Sequence, residues 1–221
     1  VMAQRNEPND SLDNFPTPPW ATRALLSKVL GEYDFSTQTC LEPACGAGHM
    51  AKVQREFFKE VWASDIYSYG FGSVNDFLGF ENQNAPVDWV ITNPPFRLAE
   101  AFVVKGLEVA TLGVALLTRT VFLESIGRYQ RLFTKAPPYL VAQFSERVPM
   151  VKGRLDRKAT TATGYAWLVW QKNESFTQTE LHWIPPCRKE LERNEDYQEV
   201  FSSQTHPSAE GIEQQLQRDL F

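Results

Sequence analysis

The chain of 221 residues is 43% hydrophobic and 13% aromatic, which is enough apolar material to bury the core of one large domain. No apolar run approaches the roughly 20 residues that cross a bilayer, and residues 1–14 lack the apolar centre of a secretory signal. The three cysteines have no metal-ligand spacing, which argues against a zinc site and against a disulfide framework. We therefore expect a cytoplasmic chain with no bound metal and no membrane contact.

The formal net charge of −5 is unevenly distributed along the chain. Residues 173–221 hold ten acidic and four basic residues, so the remainder of the chain is close to neutral. Within that remainder, residues 147–158 hold five basic residues and one acidic residue. The basic residues are Arg147, Lys152, Arg154, Arg157 and Lys158. Because a local basic patch attracts phosphate whatever the charge of the whole chain, we predict that this segment contacts nucleic acid.

The pattern of apolar residues predicts strands that alternate with helices along most of the chain. We expect residues 1–14 to be a flexible N-terminus. Residues 17–19, Thr-Pro-Pro, are typical of a helix start, since a hydroxyl caps the first turn and proline needs no amide partner there. The later predicted elements are strands over 39–42, 60–63, 87–92, 113–117, 139–144 and 165–170, and helices over 48–58, 99–110 and 123–133.

This order of elements implies an α/β fold, in which a mostly parallel sheet carries helices on both faces. The last two predicted strands are close in sequence, so an antiparallel pair is the more natural arrangement for them. We place the folded domain at residues 15–172. Residues 173–221 are acidic and only weakly periodic, and we expect an extended arm or tail there.

A glycine turn follows the first predicted strand. Residues 41–48 have the sequence Leu-Glu-Pro-Ala-Cys-Gly-Ala-Gly, and Gly46 and Gly48 allow the backbone to approach a ligand closely. The third glycine of the dinucleotide fingerprint is missing, which disfavours a pyrophosphate site.

Two acidic residues follow at positions where a nucleoside could be bound. Asp65 ends the second predicted strand, 19 positions after Gly46, where a carboxylate can accept hydrogen bonds from both ribose hydroxyls. Asp76 could accept a hydrogen bond from an adenine amino group, and Phe77 could cover the adenine ring. An ordinary turn is the alternative interpretation of both acidic positions.

Asn93-Pro94-Pro95-Phe96 directly follows the predicted strand 87–92. The side-chain oxygen of Asn93 and the carbonyl of Pro94 are two hydrogen-bond acceptors, and the prolines stiffen the turn that carries them. Phe96 adds an aromatic face. This combination suits methylation of a planar amino or amide nitrogen.

Together, these motifs resemble those of class I S-adenosylmethionine-dependent methyltransferases over roughly residues 15–170, and more narrowly the compact adenine-N6 DNA methyltransferases of phages and prophages. The resemblance implies a Rossmann-like, mostly parallel seven-stranded sheet with an antiparallel final strand. The catalytic residues that it implies are Asn93, Pro94, Pro95 and Phe96. The residues implied to bind S-adenosylmethionine are Phe15, Pro16, Thr17, Glu42, Pro43, Ala44, Cys45, Gly46, Gly48, Asp65, Ile66, Asp76, Phe77 and Asn93.

Other substrates remain open at this point. RNA adenine-N6 methyltransferases use Asn-Pro-Pro-Phe equally well, and protein glutamine methyltransferases share Asn-Pro-Pro followed by an aromatic residue. The proline-rich segment 16–18 resembles a segment that closes over the methionine end of the cofactor in the DNA enzymes, so it favours DNA.

A second resemblance concerns residues 217–221, Gln-Arg-Asp-Leu-Phe. They are similar to the short peptide by which bacterial replication proteins dock on the sliding clamp. The resemblance implies clamp contacts by Gln217, Asp219, Leu220 and Phe221. The alternative is the end of a short amphipathic helix that packs on its own domain.

Overall fold

The computed structural model describes residues 13–79, 86–172 and 178–198. Within them the chain forms one eight-stranded sheet. The strands are β1 (Thr39–Glu42), β2 (Glu60–Asp65), β3 (Ser73–Val74), β4 (Val87–Thr92), β5 (Ala110–Arg119), β6 (Leu140–Phe144), β7 (Tyr165–Gln171) and β8 (Glu180–Ile184). Their order across the sheet is β3-β2-β1-β4-β5-β7-β6-β8.

Five α-helices surround the sheet in the described part of the chain. They are α1 (Pro19–Ala24), α2 (His49–Gln54), α3 (Ala99–Val109), α4 (Ile126–Arg128) and α5 (Arg188–Leu191). Wider π-helical turns continue α1 over Leu25–Val29 and α4 over Tyr129–Phe133. Across the described residues, no helix has both the length and the apolarity needed to cross a membrane.

Strands β1 to β5 are parallel where they pair, so their carboxyl ends meet at one edge of the sheet. Strand β7 is antiparallel to both β5 and β6. This topology confirms the predicted α/β class, the mostly parallel sheet and the antiparallel pairing of the last two predicted strands. The predicted number of seven strands is wrong, because β8 adds an eighth strand that runs parallel to β6.

Strand β8 lies within the segment that the sequence predicts as an acidic arm. Its side chains alternate as an edge strand requires: Leu181 and Trp183 are exposed, His182 is partly buried, and Ile184 is fully buried. Burial along β8 alternates with the period of two of a strand, but the apolar Leu181 and Trp183 face outward, so the sequence pattern does not reveal which face is buried. These residues therefore belong to the sheet.

Arg23 of α1 holds the chain after β8 against the helices. Its buried guanidinium donates to Glu56 at 2.7 Å, to Asp196 at 2.8 Å and to the carbonyl of Leu191 at 3.0 Å. A buried cation needs such partners, since its desolvation is otherwise unfavourable. The contacts fix α5 and the turn that follows it.

Apolar layers cover both faces of the sheet. One layer joins α1 and α2 to the sheet and contains the fully buried Trp20, Trp89 and Trp167. The other layer lies under α3 and contains Phe102 and Leu168. Because both faces are covered, the edge formed by the carboxyl ends of the parallel strands is the natural place for a binding site.

Candidate active site

A cleft with about 890 Å³ of empty space opens at the carboxyl edge of the parallel strands. Glu42 at the end of β1, Asp65 at the end of β2 and Asn93 directly after β4 all line it. The predicted site residues that line the cleft are Phe15, Pro16, Thr17, Glu42, Pro43, Ala44, Cys45, Gly46, Asp65, Ile66, Asp76, Phe77, Asn93 and Pro95. Those that do not line it are Gly48, Pro94 and Phe96.

The glycine turn between β1 and α2 forms one wall of the cleft. Gly46 and Gly48 have φ angles of 49° and 82°, a region that favours glycine. A Cβ atom at Gly48 would also lie 2.5 Å from the Phe71 ring. The turn therefore depends on both glycines, for backbone conformation and for space.

Asp65 joins the glycine turn to the end of β2. Its Oδ2 accepts a hydrogen bond from the Gly46 amide at 2.9 Å, and its Oδ1 accepts one from the Tyr67 amide at 3.1 Å. Each oxygen of an ionised carboxylate can accept more than one hydrogen bond. Asp65 thus stabilises the turn and still has acceptor capacity on the cleft side.

Asp76 and Phe77 lie together on another wall. The Oδ1 atom of Asp76 accepts a hydrogen bond from the Leu78 amide at 3.0 Å, which is the ordinary turn contact. Phe77 is buried, and its ring centroid lies 5.1 Å from that of Phe102. Both residues line the cleft, so the turn contact and a ligand contact are compatible.

Glu42 is the most deeply buried acid of the cleft, with a relative exposure of 1%. Its Oε1 accepts a hydrogen bond from Thr92 Oγ1 at 2.7 Å, and its Oε2 accepts one from Gln54 Nε2 at 3.3 Å. Burial raises the pKa of Glu42 to about 8, and the nearby charge of Asp65 acts in the same direction. Loss of water disfavours the charged carboxylate, so a positive charge nearby would restore its ionisation.

The side-chain amide of Asn93 is held by hydrogen bonds at its nitrogen but not at its oxygen within the described residues. Nδ2 donates to the Phe15 carbonyl and to Thr17 Oγ1, both at 3.0 Å, and lies 3.7 Å from the sulfur of Met150. Oδ1 is buried and accepts no hydrogen bond from the described part of the chain. The site thus contains a fixed, unused acceptor at the position that the sequence predicts to be catalytic.

Phe96 lies beside this amide and is packed by side chains from distant parts of the chain. Its backbone amide donates to Asp13 Oδ2 at 2.6 Å. The guanidinium carbon of Arg119 lies 3.7 Å from the Phe96 ring centroid, and the Phe15 ring lies 5.4 Å away. One face of the aromatic ring is therefore covered by a cation–π contact.

Several contacts in the site could not be found from local sequence motifs. Asp13 falls in the predicted flexible segment 1–14, yet it contacts Phe96 and lines the cleft with Asn14. Met150 lies 57 positions from Asn93 in sequence. Arg119 ends β5 at the same edge of the sheet, and this position was its only sequence signal.

The basic segment 147–158 lies between β6 and β7 and reaches the active site. Its Gly153 amide donates to the Asn14 carbonyl at 2.8 Å, and Met150 contacts Asn93. The five predicted nucleic-acid contacts are all exposed: Arg147, Lys152, Arg154, Arg157 and Lys158.

Two of these basic residues also have acidic neighbours. Arg154 forms an ion pair with Asp156 at 3.2 Å, and Arg157 forms one with Glu192 at 3.2 Å. The predicted clamp peptide 217–221 lies outside the described residues. Within the part of the chain that is described, no group of three or more His, Cys, Asp or Glu residues could hold a metal ion.

No protein-family model and no curated protein matches this chain, whereas solved structures do. A candidate RNA methyltransferase from Pyrococcus horikoshii is 18% identical, with a TM-score of 0.55 over 76% of this chain and 90% of that one. The modification subunit of a candidate type I restriction enzyme from Vibrio vulnificus is 14% identical, with a TM-score of 0.55 over 77% of this chain and 47% of that one.

A third structure, a protein from Thermoplasma acidophilum, is 18% identical, with a TM-score of 0.51 over 73% of this chain and 89% of that one. This chain therefore spans about half of the Vibrio subunit and most of the other two proteins. At these low identities the likeness concerns the fold. The chain has the Rossmann-like fold of class I methyltransferases.

Proposed function

We propose that the chain is an S-adenosylmethionine-dependent methyltransferase that modifies adenine N6 in DNA. The observation that carries this proposal is the buried Oδ1 of Asn93, which accepts no hydrogen bond from the described residues although Asn93 lines the cleft. A buried acceptor without a partner costs about 1–3 kcal/mol. An N–H group from a substrate would remove this cost.

The acceptor chemistry favours an amino group over a hydroxyl. An amide is not a base, so Asn93 could not remove the proton that a hydroxyl must lose before attack. It could, with the Pro94 carbonyl, accept the two N–H groups of an adenine amine and hold the nitrogen lone pair away from the ring. The work of these residues is positioning and stabilisation of developing positive charge, and the surplus proton is lost to solvent.

The cleft also fits S-adenosylmethionine, which when bound would supply an electrophilic methyl group. Glu42 is a buried carboxyl whose pKa is raised to about 8, so a cationic ligand would favour its ionised form. We propose that Glu42 faces the positively charged end of the cofactor. Asp65 would bind the ribose, and Asp76 with Phe77 would bind the adenine.

Phe96 would stack on the base that is methylated. In a duplex this base must first leave the helix, which costs a few kcal/mol, and an aromatic ring returns part of that energy. Phe96 is half-buried, with Arg119 over one face and Phe15 and Tyr165 beside its ring, and we propose that the base stacks on the part of the ring that these side chains leave exposed.

The choice of polymer rests on weaker observations. One structural neighbour is a candidate RNA methyltransferase and another is the modification subunit of a candidate type I restriction enzyme, so these neighbours do not decide between RNA and DNA. The exposed basic segment 147–158 suits phosphate in either. We favour DNA because of the segment 16–18 and the clamp-like peptide 217–221, with adenine N6 of RNA as the alternative and a protein glutamine as a further one.

Labelled-methyl transfer to duplex DNA, single-stranded DNA, total RNA and protein in parallel tests this proposal. Nuclease digestion of the labelled polymer then identifies the modified base. We expect Asn93→Ala to lower turnover at least 100-fold and to change the cofactor Kd less than about twofold. Gln130→Ala, at an exposed amide side chain that does not line the cleft, is the control. An equal loss of turnover and cofactor binding in Asn93→Ala would contradict the assigned role.

A further inference from the structure

We infer that Thr17 is a positioning residue that fixes the orientation of the Asn93 amide, and this inference rests on the proposed function of Asn93. The sequence resemblance assigned Thr17 to the cofactor. The geometry assigns its hydroxyl to the catalytic amide instead, at 3.0 Å from Asn93 Nδ2.

The orientation of the amide follows from its partners. The Phe15 carbonyl can only accept hydrogen bonds, so the end of the Asn93 side chain that faces it at 3.0 Å must be the NH₂ group. The Thr17 hydroxyl takes up the second N–H. With both hydrogens used, the oxygen is the part of the amide left for a substrate, and among the described residues it has no hydrogen-bond partner.

A second anchor is needed because the terminal torsion of an asparagine side chain has a broad energy minimum. One hydrogen bond, to the Phe15 carbonyl, sets which end is the nitrogen but allows the amide plane to turn. A second hydrogen bond to Thr17 fixes that plane. The direction in which Oδ1 points is then determined before any substrate arrives, as electrostatic catalysis requires.

The backbone around Thr17 is suited to this role because it is stiff. Prolines occupy positions 16, 18 and 19, and each fixes its own φ angle and restricts the residue before it. Pro19 begins α1, and the Ala21 amide donates to the Pro18 carbonyl at 2.9 Å. Thr17 is 4% exposed, so its hydroxyl cannot turn away to water.

The test compares Thr17→Val, which keeps the shape and removes the hydroxyl, with Thr17→Ser, which keeps the hydroxyl. We expect Thr17→Val to lower kcat about 10- to 100-fold with less than about a twofold change in the cofactor Kd. Thr17→Ser should retain kcat within about threefold. Thr22→Val is the matched control, because Thr22 is buried nearby in α1 and its hydroxyl bonds no part of the site.

A double variant shows whether Thr17→Val lowers kcat through Asn93 or through a general effect on the structure. If Thr17 acts through the amide, Thr17→Val should lower kcat no further in an Asn93→Ala background. An additive loss would overturn the inference. So would a fall in kcat that is matched by weaker cofactor binding, or an unchanged kcat in Thr17→Val.

A readout without catalysis separates this inference from the proposed function. The side-chain NH₂ of Asn93, identified by NMR as the signal lost in Asn93→Ala, should exchange with solvent more slowly than the other side-chain amides. Exchange should be at least about tenfold faster in Thr17→Val and unchanged in Thr22→Val. If exchange changes as expected but the protein methylates no polymer, the proposed function is refuted and the role of Thr17 stands. If the exchange rates of the wild type and of Thr17→Val are equal, the role of Thr17 is refuted.

Discussion

Replacement of Glu42 by glutamine tests the electrostatics of the cleft, because the two side chains share a shape and differ in charge. Glu42 accepts hydrogen bonds from Thr92 and from Gln54. A glutamine can keep both contacts, since its oxygen can accept from Gln54 and its NH₂ group can donate to the Thr92 hydroxyl. The variant therefore changes the ability to ionise with little change in packing.

The expected effect on stability follows from the raised pKa of Glu42. In the unfolded chain this carboxyl ionises near pH 4.5, whereas burial delays ionisation in the folded protein until about pH 8. Between these values unfolding releases a proton, so the free energy of unfolding falls by about 1.4 kcal/mol per pH unit as the pH rises. The contribution of Glu42 to the free energy of unfolding is greatest below pH 4.5, where the carboxyl is protonated in both the folded and the unfolded chain. About 3 kcal/mol of this contribution is lost by pH 7.

Urea unfolding between about pH 5 and about pH 8.5 measures this loss. Glu42→Gln should lack the decline, so its stability advantage over the wild type should grow with pH. If the cofactor is cationic as proposed, its apparent Kd for the wild type should fall about tenfold per pH unit up to about pH 8, and should vary little for the variant. Parallel pH dependences in the two proteins would refute the reasoning.

Two further predictions concern the substrate and the partner. Arg147→Ala with Lys158→Ala should weaken binding to all nucleic-acid sequences alike and should reduce the slope of log Kd against log salt by about 2. Arg157→Ala is the control, because its guanidinium already pairs with Glu192 at 3.2 Å. This variant should change the slope less than either of the other two removed charges does. The same change in slope per removed charge in both proteins would contradict the role of this segment. Deletion of residues 217–221 should abolish capture by an immobilised bacterial sliding clamp and leave methylation of free oligonucleotides unchanged, and capture that persists would exclude the clamp peptide.

The sequence was sufficient to place residues that follow the ends of parallel strands. Glu42, Asp65 and Asn93 each end or follow such a strand, and parallel topology alone brings those ends to one edge. Glycines at 46 and 48 marked the turn for the same local reason. These predictions depended on short-range patterns, which a single sequence contains.

The rest of the site depends on contacts between distant segments. Which end of the Asn93 amide is held by the protein is decided by Phe15, 78 positions earlier in the chain. The cation–π contact on the Phe96 ring comes from Arg119, which lies at the end of a different strand. No motif encodes such pairings, and β8 was missed because its pairing with β6 is equally non-local.

Segment 13–17 links three parts of the proposed active site that the sequence treated as separate. Asp13 bonds the backbone of Phe96, Asn14 bonds Gly153 of the basic segment, and Phe15 with Thr17 bonds the amide of Asn93. The same segment lines the cleft proposed for the cofactor. A ligand that contacts segment 13–17 would therefore also stabilise the methyl-acceptor site and the nucleic-acid segment, because all three share its hydrogen bonds. Cofactor binding and substrate binding should for this reason be positively coupled in this protein.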